Sequence, residues 1–231
     1  MLIATAPSPL AAALRSDAQS LSAAVASWDG AGAEPAAVVA AARDEQRIIR
    51  VLAANPPLAR SVERQVPRIT SDVVARVDLN RLASNSPPLR TAPRVGPAPP
   101  VNRLRSWYRS AGRRFSIRWQ LLAAVNFVES AFGRVRNTSG AGAQGPMQFL
   151  PATWRVYGLG GNVHDPHDAI VGAANYLAAN GARRDERRAL LRYNHSTLYA
   201  DAVSRYASLM ARDPDAFYGY YAWRVHFRRT G

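Results

Sequence analysis

Residues 121–154 read LLAAVNFVESAFGRVRNTSGAGAQGPMQFLPATW, and the first half of this stretch decides the fold class. Leu121, Val125, Glu129 and Phe132 recur at i, i+4, i+8 and i+11, the spacing that lines side chains along one stripe of an α-helix. Glu129 therefore shares a stripe with apolar side chains. A carboxylate taken out of water without a partner is costly to ionise, so such a group holds its proton toward neutrality and can serve as a general acid. No other Asp or Glu lies between Asp78 and Asp165, so no neighbouring position supplies a second carboxylate. The plainer alternative is a structural glutamate that reaches the helix edge or pairs with an arginine, since such pairs also perturb pKa values.

The residues downstream of Glu129 favour the chemical reading. Ser139 to Gly145, SGAGAQG, carries three glycines in seven residues, which suits a loop that passes close to something or takes up positive φ. Pro146, Met147, Gln148, Phe149 and Leu150 come next. Pro151 then stands where a helix over 152–157 would begin, and Gly158 stops it. A loop and a short helix set opposite a buried acid describe the wall of a cleft.

Glu129-Ser130, then Ser139 with Gly142 and Gly145, then Gly145-Pro146-Met147-Gln148, and finally Tyr193-Asn194 occur in an order that resembles the signature of lytic transglycosylases with the lysozyme-like soluble transglycosylase (SLT) domain. The resemblance covers about residues 105–212. It departs from the usual pattern at Pro146, where Leu is common, and at His195-Ser196, where Ala-Gly commonly follows Tyr-Asn. It implies an all-α, lysozyme-like catalytic domain that acts on peptidoglycan glycan strands. It also implies a mechanism in which Glu129 protonates the leaving glycosidic oxygen and then accepts the proton of the sugar's own C6 hydroxyl, closing a 1,6-anhydro ring. By the same resemblance Ser130 and Ser139 would orient the carboxyl or nearby substrate groups. Gln148, Tyr193 and Asn194 would hydrogen-bond the sugars or steer the acid, Met147 would supply an apolar cleft wall, and His195 would add a ring to its floor. It implies a place in the cell envelope or outside the cell.

Composition bounds the remainder. The net charge of +14 is uneven: residues 1–100 hold 11 arginines against 8 acids, and residues 101–231 hold 19 against 8. A basic surface attracts polyanions in general, and the anionic polymers of a bacterial envelope are candidate partners beside the glycan itself. No recognition helix or aromatic-basic platform for nucleic acid is present, so no nucleic-acid partner is expected. There is no cysteine, which excludes disulfides, thiol catalysis and cysteine-based zinc sites. His164 and His167 beside Asp165 and Asp168 invite a metal reading, but the run Asp165-Pro166-His167-Asp168 is first a helix start. No metal or nucleotide motif occurs, and no cofactor is expected. Residues 1–14 are apolar but lack a basic start and are broken by Pro7 and Pro9, which is not the pattern of a signal peptide.

Along the chain, alanine with spaced Leu, Val and Ile predicts a helical N-terminal segment over 1–83, as a hairpin, bundle or stalk. Residues 84–100 hold six prolines in seventeen positions and predict an extended linker. Residues 101–231 are expected to form the catalytic domain as successive short helices, with no strand. The aromatic run Phe217, Tyr218, Tyr220, Tyr221 and Trp223 is read as core before it is read as a sugar-stacking surface. Two other functions compete: a hydrolytic muramidase on the same fold, and a non-catalytic basic module that binds the envelope or nucleic acid.

Overall fold

The computed structural model describes residues 6–85 and 92–226, and these are mainly helical with no strand among them. The order is α1 (Pro7–Ala26), α2 (Ala36–Ala54), α3 (Pro56–Glu63), α4 (Thr70–Asn85), α5 (Val101–Phe115), α6 (Trp119–Ser130), α7 (Pro151–Tyr157), α8 (Pro166–Ala179), α9 (Glu186–Tyr193), α10 (Thr197–Arg212) and α11 (Pro214–Ala222). Most starts are written in the residues. Asp165, Asp185, Ser196 and Asp213 each cap the next helix with a side-chain oxygen. Pro166 and Pro214 occupy the first helical turn, where a missing N–H costs nothing. No helix of the described residues is long and apolar enough to cross a membrane.

α6 is the axis of the second half. Leu121 to Val125 are fully buried, with α10 packed along one flank and α5 along another. The C-terminal aromatics close this core from below as the sequence suggests. Phe217, Tyr218, Tyr220, Tyr221 and Trp223 are all buried, and Phe127 sits among them, 5.3 Å from Tyr220 and 5.7 Å from Trp223.

The boundary at residue 100 is not an edge of the core. One continuous cluster of buried apolar side chains runs from Leu10 to Trp223. α4 lies along α10, α2 lies on α11, and Trp28 packs its ring 5.7 Å from Tyr218. The alternative of a projecting stalk is thereby excluded for α1 to α4. Residues 86–91 of the expected linker lie outside the described residues, but 92–100 are extended and strapped to the second half. The Arg94 amide donates to Asn137 Oδ1 at 2.7 Å, the Gly96 amide to the Arg134 carbonyl at 2.9 Å, and the Tyr221 hydroxyl to the Pro99 carbonyl at 3.0 Å. Prolines suit this segment because only some of its backbone groups need partners.

A buried charge sits where α4 meets α11. The Tyr220 hydroxyl donates to Asp72 Oδ1 at 2.6 Å, and burial, reinforced by Glu45, pushes the Asp72 carboxyl up to about 7. A carboxyl raised in the folded state contributes stability that is complete below its unfolded pKa near 4 and is lost as pH rises through 7. Asp72→Asn, which keeps an acceptor for Tyr220, is therefore expected to match the wild type at pH 4 and to melt at least about 3 °C higher at pH 8. Thermal melts at the two pH values check this, and a lower melting temperature at pH 8 would contradict it. A chain cut back to residues 101–231 would expose the faces of α10 and α11 that α4 and α2 cover. It is expected to be insoluble or to lose its near-ultraviolet circular dichroism, and a soluble, cooperatively melting fragment would show that the second half stands alone.

Candidate active site

Glu129 is the penultimate residue of α6, and the geometry around it begins with how that helix ends. Ala131, Phe132 and Gly133 all have positive φ, at 50°, 63° and 83°. The first two carry side chains, and that conformation strains them by roughly 1–2 kcal/mol each. Packing and hydrogen bonding hold them there. Phe132 is buried 5.4 Å from Phe127 and 5.8 Å from Phe217, while the Phe132 amide reaches back to the Asn126 carbonyl at 3.2 Å. The reversal turns the chain away directly behind Glu129, leaving that residue half-buried one turn past the fully buried run 121–126.

Behind the acid is a small polar cluster in the core. The Ser130 hydroxyl donates to the Pro146 carbonyl at 2.5 Å and accepts from the Gly133 amide at 2.8 Å. Asn126 Nδ2 donates to the same Pro146 carbonyl at 2.7 Å, and Asn126 Oδ1 accepts from the Tyr108 hydroxyl at 2.5 Å. Ser130 and Asn126 are each 1% exposed. The expectation that Ser130 would touch the carboxyl or the substrate is corrected here: its hydroxyl fastens the glycine loop to the helix that carries the acid, and so acts at one remove from the chemistry.

The loop is shaped for that attachment. The Ser139 hydroxyl accepts from the Ala143 amide at 2.9 Å and closes a tight turn, so Ser139 shapes the loop. Gly145 has φ 74°, and a Cβ there would collide with the Val163 carbonyl, so the close approach inferred from the glycines is real at this position. Met147 is fully buried, which removes it as a cleft wall; its carbonyl instead accepts from the Tyr193 hydroxyl at 2.7 Å. Gln148, at φ 50°, donates its amide to the Gly145 carbonyl at 3.0 Å and remains half-buried.

Two tyrosines complete the surroundings. Burial lifts Glu129 to about 7, and the Tyr199 hydroxyl beside it pulls the other way. Tyr199 stacks parallel to Tyr193 at 6.4 Å, and its buried hydroxyl lies against the Glu129 carboxyl as a donor that favours the charged form. Tyr193 and Tyr199 are both held well above the usual phenol range, first by burial and then by the Glu129 charge. Among the described residues no second carboxylate acts on Glu129. Asn194 is half-buried, its side-chain amide without a hydrogen-bond partner among the described residues, and His195 beside it is exposed. Tyr199 and Asn126 carry this site without having been singled out in the sequence, although Asn126 stands one turn before Ser130.

The start of α6 is braced as well. Arg118, just before the helix, grips Glu186 at the start of α9 with two bonds of 2.6 Å. α9 ends on Tyr193, so the helix bearing the acid and the helix bearing the tyrosine share one ion pair. Asp165, His167 and Asp168 bring three ligand atoms within 4.8 Å of one another on the surface. Their carboxylates are already engaged, however: Asp165 caps α8 through the Asp168 amide, and Asp168 accepts from the Asn162 amide at 2.9 Å, which holds it below its ordinary value.

Ser130→Ala is expected to cost about 1–3 kcal/mol of stability, because the Pro146 carbonyl and the Gly133 amide lose a buried partner. Urea unfolding measures this. The folded fraction should keep its affinity for substrate, and a weakened affinity with an unchanged unfolding midpoint would return Ser130 to the substrate side.

Residues 106–208 match the family model described as Transglycosylase SLT domain. Over 93 residues, 40% of this chain, the sequence is 39% identical to a protein named "Transglycosylase" of Enterobacteria phage PRD1. The matched stretch spans about a third of that relative, 34% of its length. No solved structure matches significantly. The match takes in α6 with Glu129, the glycine loop, Tyr193-Asn194 and most of α10, and it begins after the four N-terminal helices. The helical segment from residue 106 to residue 208 is thus similar to the transglycosylase SLT domain.

Proposed function

We propose that the protein is a peptidoglycan lytic transglycosylase that cleaves the β-1,4 bond between N-acetylmuramoyl and N-acetylglucosaminyl residues and leaves a 1,6-anhydromuramoyl end. The observation that carries this reading is the solitude of Glu129: one carboxyl, raised by burial, faced by two tyrosines and, among the described residues, by no second acid. Retaining and inverting glycosidases use a pair of carboxylates, one as acid and the other as nucleophile or base. With a single carboxyl the substrate must supply the other group. The Glu129 proton passes to the glycosidic oxygen as the C1–O bond breaks, and the muramoyl N-acetyl group stabilises the positive charge developing at C1. The Glu129 carboxylate then removes the C6 hydroxyl proton as O6 bonds to C1, which restores the acid and consumes no water.

The chain's own residues fit these steps. The Tyr199 hydroxyl beside Glu129 can donate to the carboxylate formed midway, which stabilises the acid when it is charged. Asn194, with its amide free, and Gln148, half-buried on the loop, are the groups placed to hydrogen-bond sugar. Tyr193 acts one step back, holding the Met147 carbonyl and hence the loop. The envelope or the space outside the cell is where such a substrate is met. The anionic polymers there would be attracted to the basic second half. A hydrolytic muramidase would need a second carboxylate or a held water to attack C1, and no described residue beside Glu129 offers the former.

Glu129→Gln keeps size and shape but has no acidic proton to give, so turnover should fall by at least about 100-fold with the melting temperature preserved. Mass spectrometry of products from purified peptidoglycan should find anhydro ends. Reducing ends alone would establish hydrolysis instead. Since Glu129 must start protonated, the rate should be highest below about 7 and fall as pH rises through that value. A rate that climbs between pH 6 and pH 8 would remove Glu129 as the acid.

A further inference from the structure

The four N-terminal helices lie outside the matched domain, yet one of their ends stands at the rim of the site. α4 and α10 run antiparallel. At one end Asp72 lies within electrostatic reach of Asp213, just past α10; midway Asp78 comes within 3.9 Å of Arg205; and at the other end Asn80 and Arg81 share a cavity with Leu198. Leu198 is in the first turn of α10. The residue after it is Tyr199, beside Glu129, and the residues just before the helix are Tyr193 to Ser196. The C-terminal turns of α4 are thus a neighbour of the proposed sugar-binding turn.

The cavity there has a volume of about 500 Å³, and Glu129 is not part of its wall. Its lining mixes apolar residues, Ala53, Pro56, Val77 and Leu198 among them, with the amide side chains of Asn80 and Asn85 and with Arg81, the single charged residue of the lining. Arg81 is exposed, makes no hydrogen bond or ion pair within 4 Å among the described residues, and feels the Asp78 charge one turn back on α4. A wall with small apolar patches, amides and one exposed guanidinium suits a short peptide with a carboxylate. A polyphosphate-like wall polymer would call for several cations, and bare glycan would bring no charge for Arg81 to meet.

We propose that this cavity receives the peptide stem carried by the muramoyl sugar, with Arg81 pairing with a stem carboxylate, so that the N-terminal helices give the enzyme its preference for peptide-bearing strands. The proposal rests on the reading of the protein as acting on peptidoglycan. It makes α4 a specificity element and assigns it no chemical step.

The test compares soluble glycan strands that keep their stems with the same strands stripped by an amidase. The wild type is expected to favour the stem-bearing strands. In Arg81→Gln the ratio of kcat/KM between the two substrates should fall by roughly 3- to 5-fold, the size expected for one partly exposed ion pair, and the change should lie in KM and fade at high salt. An unchanged ratio, or a wild type without preference, overturns the proposal. A second arm measures binding of stem-bearing strands by calorimetry to Glu129→Gln and to Glu129→Gln with Arg81→Gln. A loss of affinity of the same size supports the stem pocket even if the products prove hydrolytic, and equal affinities overturn it. If the wild type cleaves neither strand, it is the proposed activity that fails, and the binding arm still decides the pocket.

Discussion

Everything near the acid depends on one carbonyl. Pro146 O accepts from both Ser130 and Asn126, and through them the glycine loop is fixed to the helix that carries Glu129. The cluster is fully satisfied, since Asn126 is held from the other side by Tyr108 and Ser130 receives the Gly133 amide. Inside a low-dielectric core a satisfied network of this kind fixes one arrangement, and a broken one is expensive. This is also what keeps the left-handed turn over 131–133 in place, because its last amide is one of the donors. The position of the carboxyl is therefore set by groups that never touch it.

A second constraint is the burial of the tyrosine pair. Tyr193 is tied to the loop through the Met147 carbonyl, whereas the Tyr199 hydroxyl lies beside Glu129. The same ring type thus does two jobs a few residues apart. One ring is a strut, and the other sets a donor against the carboxyl.

The helix bearing Glu129 was legible because its apolar stripe is unbroken and a carboxylate on it stands out; the caps at Asp165, Asp185 and Asp213 were legible because the capping residue types are few. Direction was harder to read. Ser130 comes directly after Glu129 in sequence, but about 100° of helical rotation separates them, and the inward turn at Ala131 and Phe132 is written in no glycine. Met147 lies in a loop without periodicity, so its apolar character could not say whether it faced a cleft or the core. The alanine-rich helices 7–26 and 36–54 announced apolar faces without naming what covers them. That information is held by α10 and α11, more than a hundred residues away, and single-chain pattern carries no trace of it.

The contact between α2 and the C-terminal residues bears on how the protein is made. Gln46 exchanges two hydrogen bonds with the backbone of Arg224, 178 positions later, and α1 and α2, besides packing on each other, on α3 and on α4, also pack on α11, the last helix of the described chain. During synthesis the first helices leave the ribosome long before their partner exists, and contacts of such separation form late because a long loop must close first. Until it does, part of their apolar surface stays open to water or to a chaperone. A product that stops short of α11 would hold Glu129 but lack the clasp between Gln46 and Arg224.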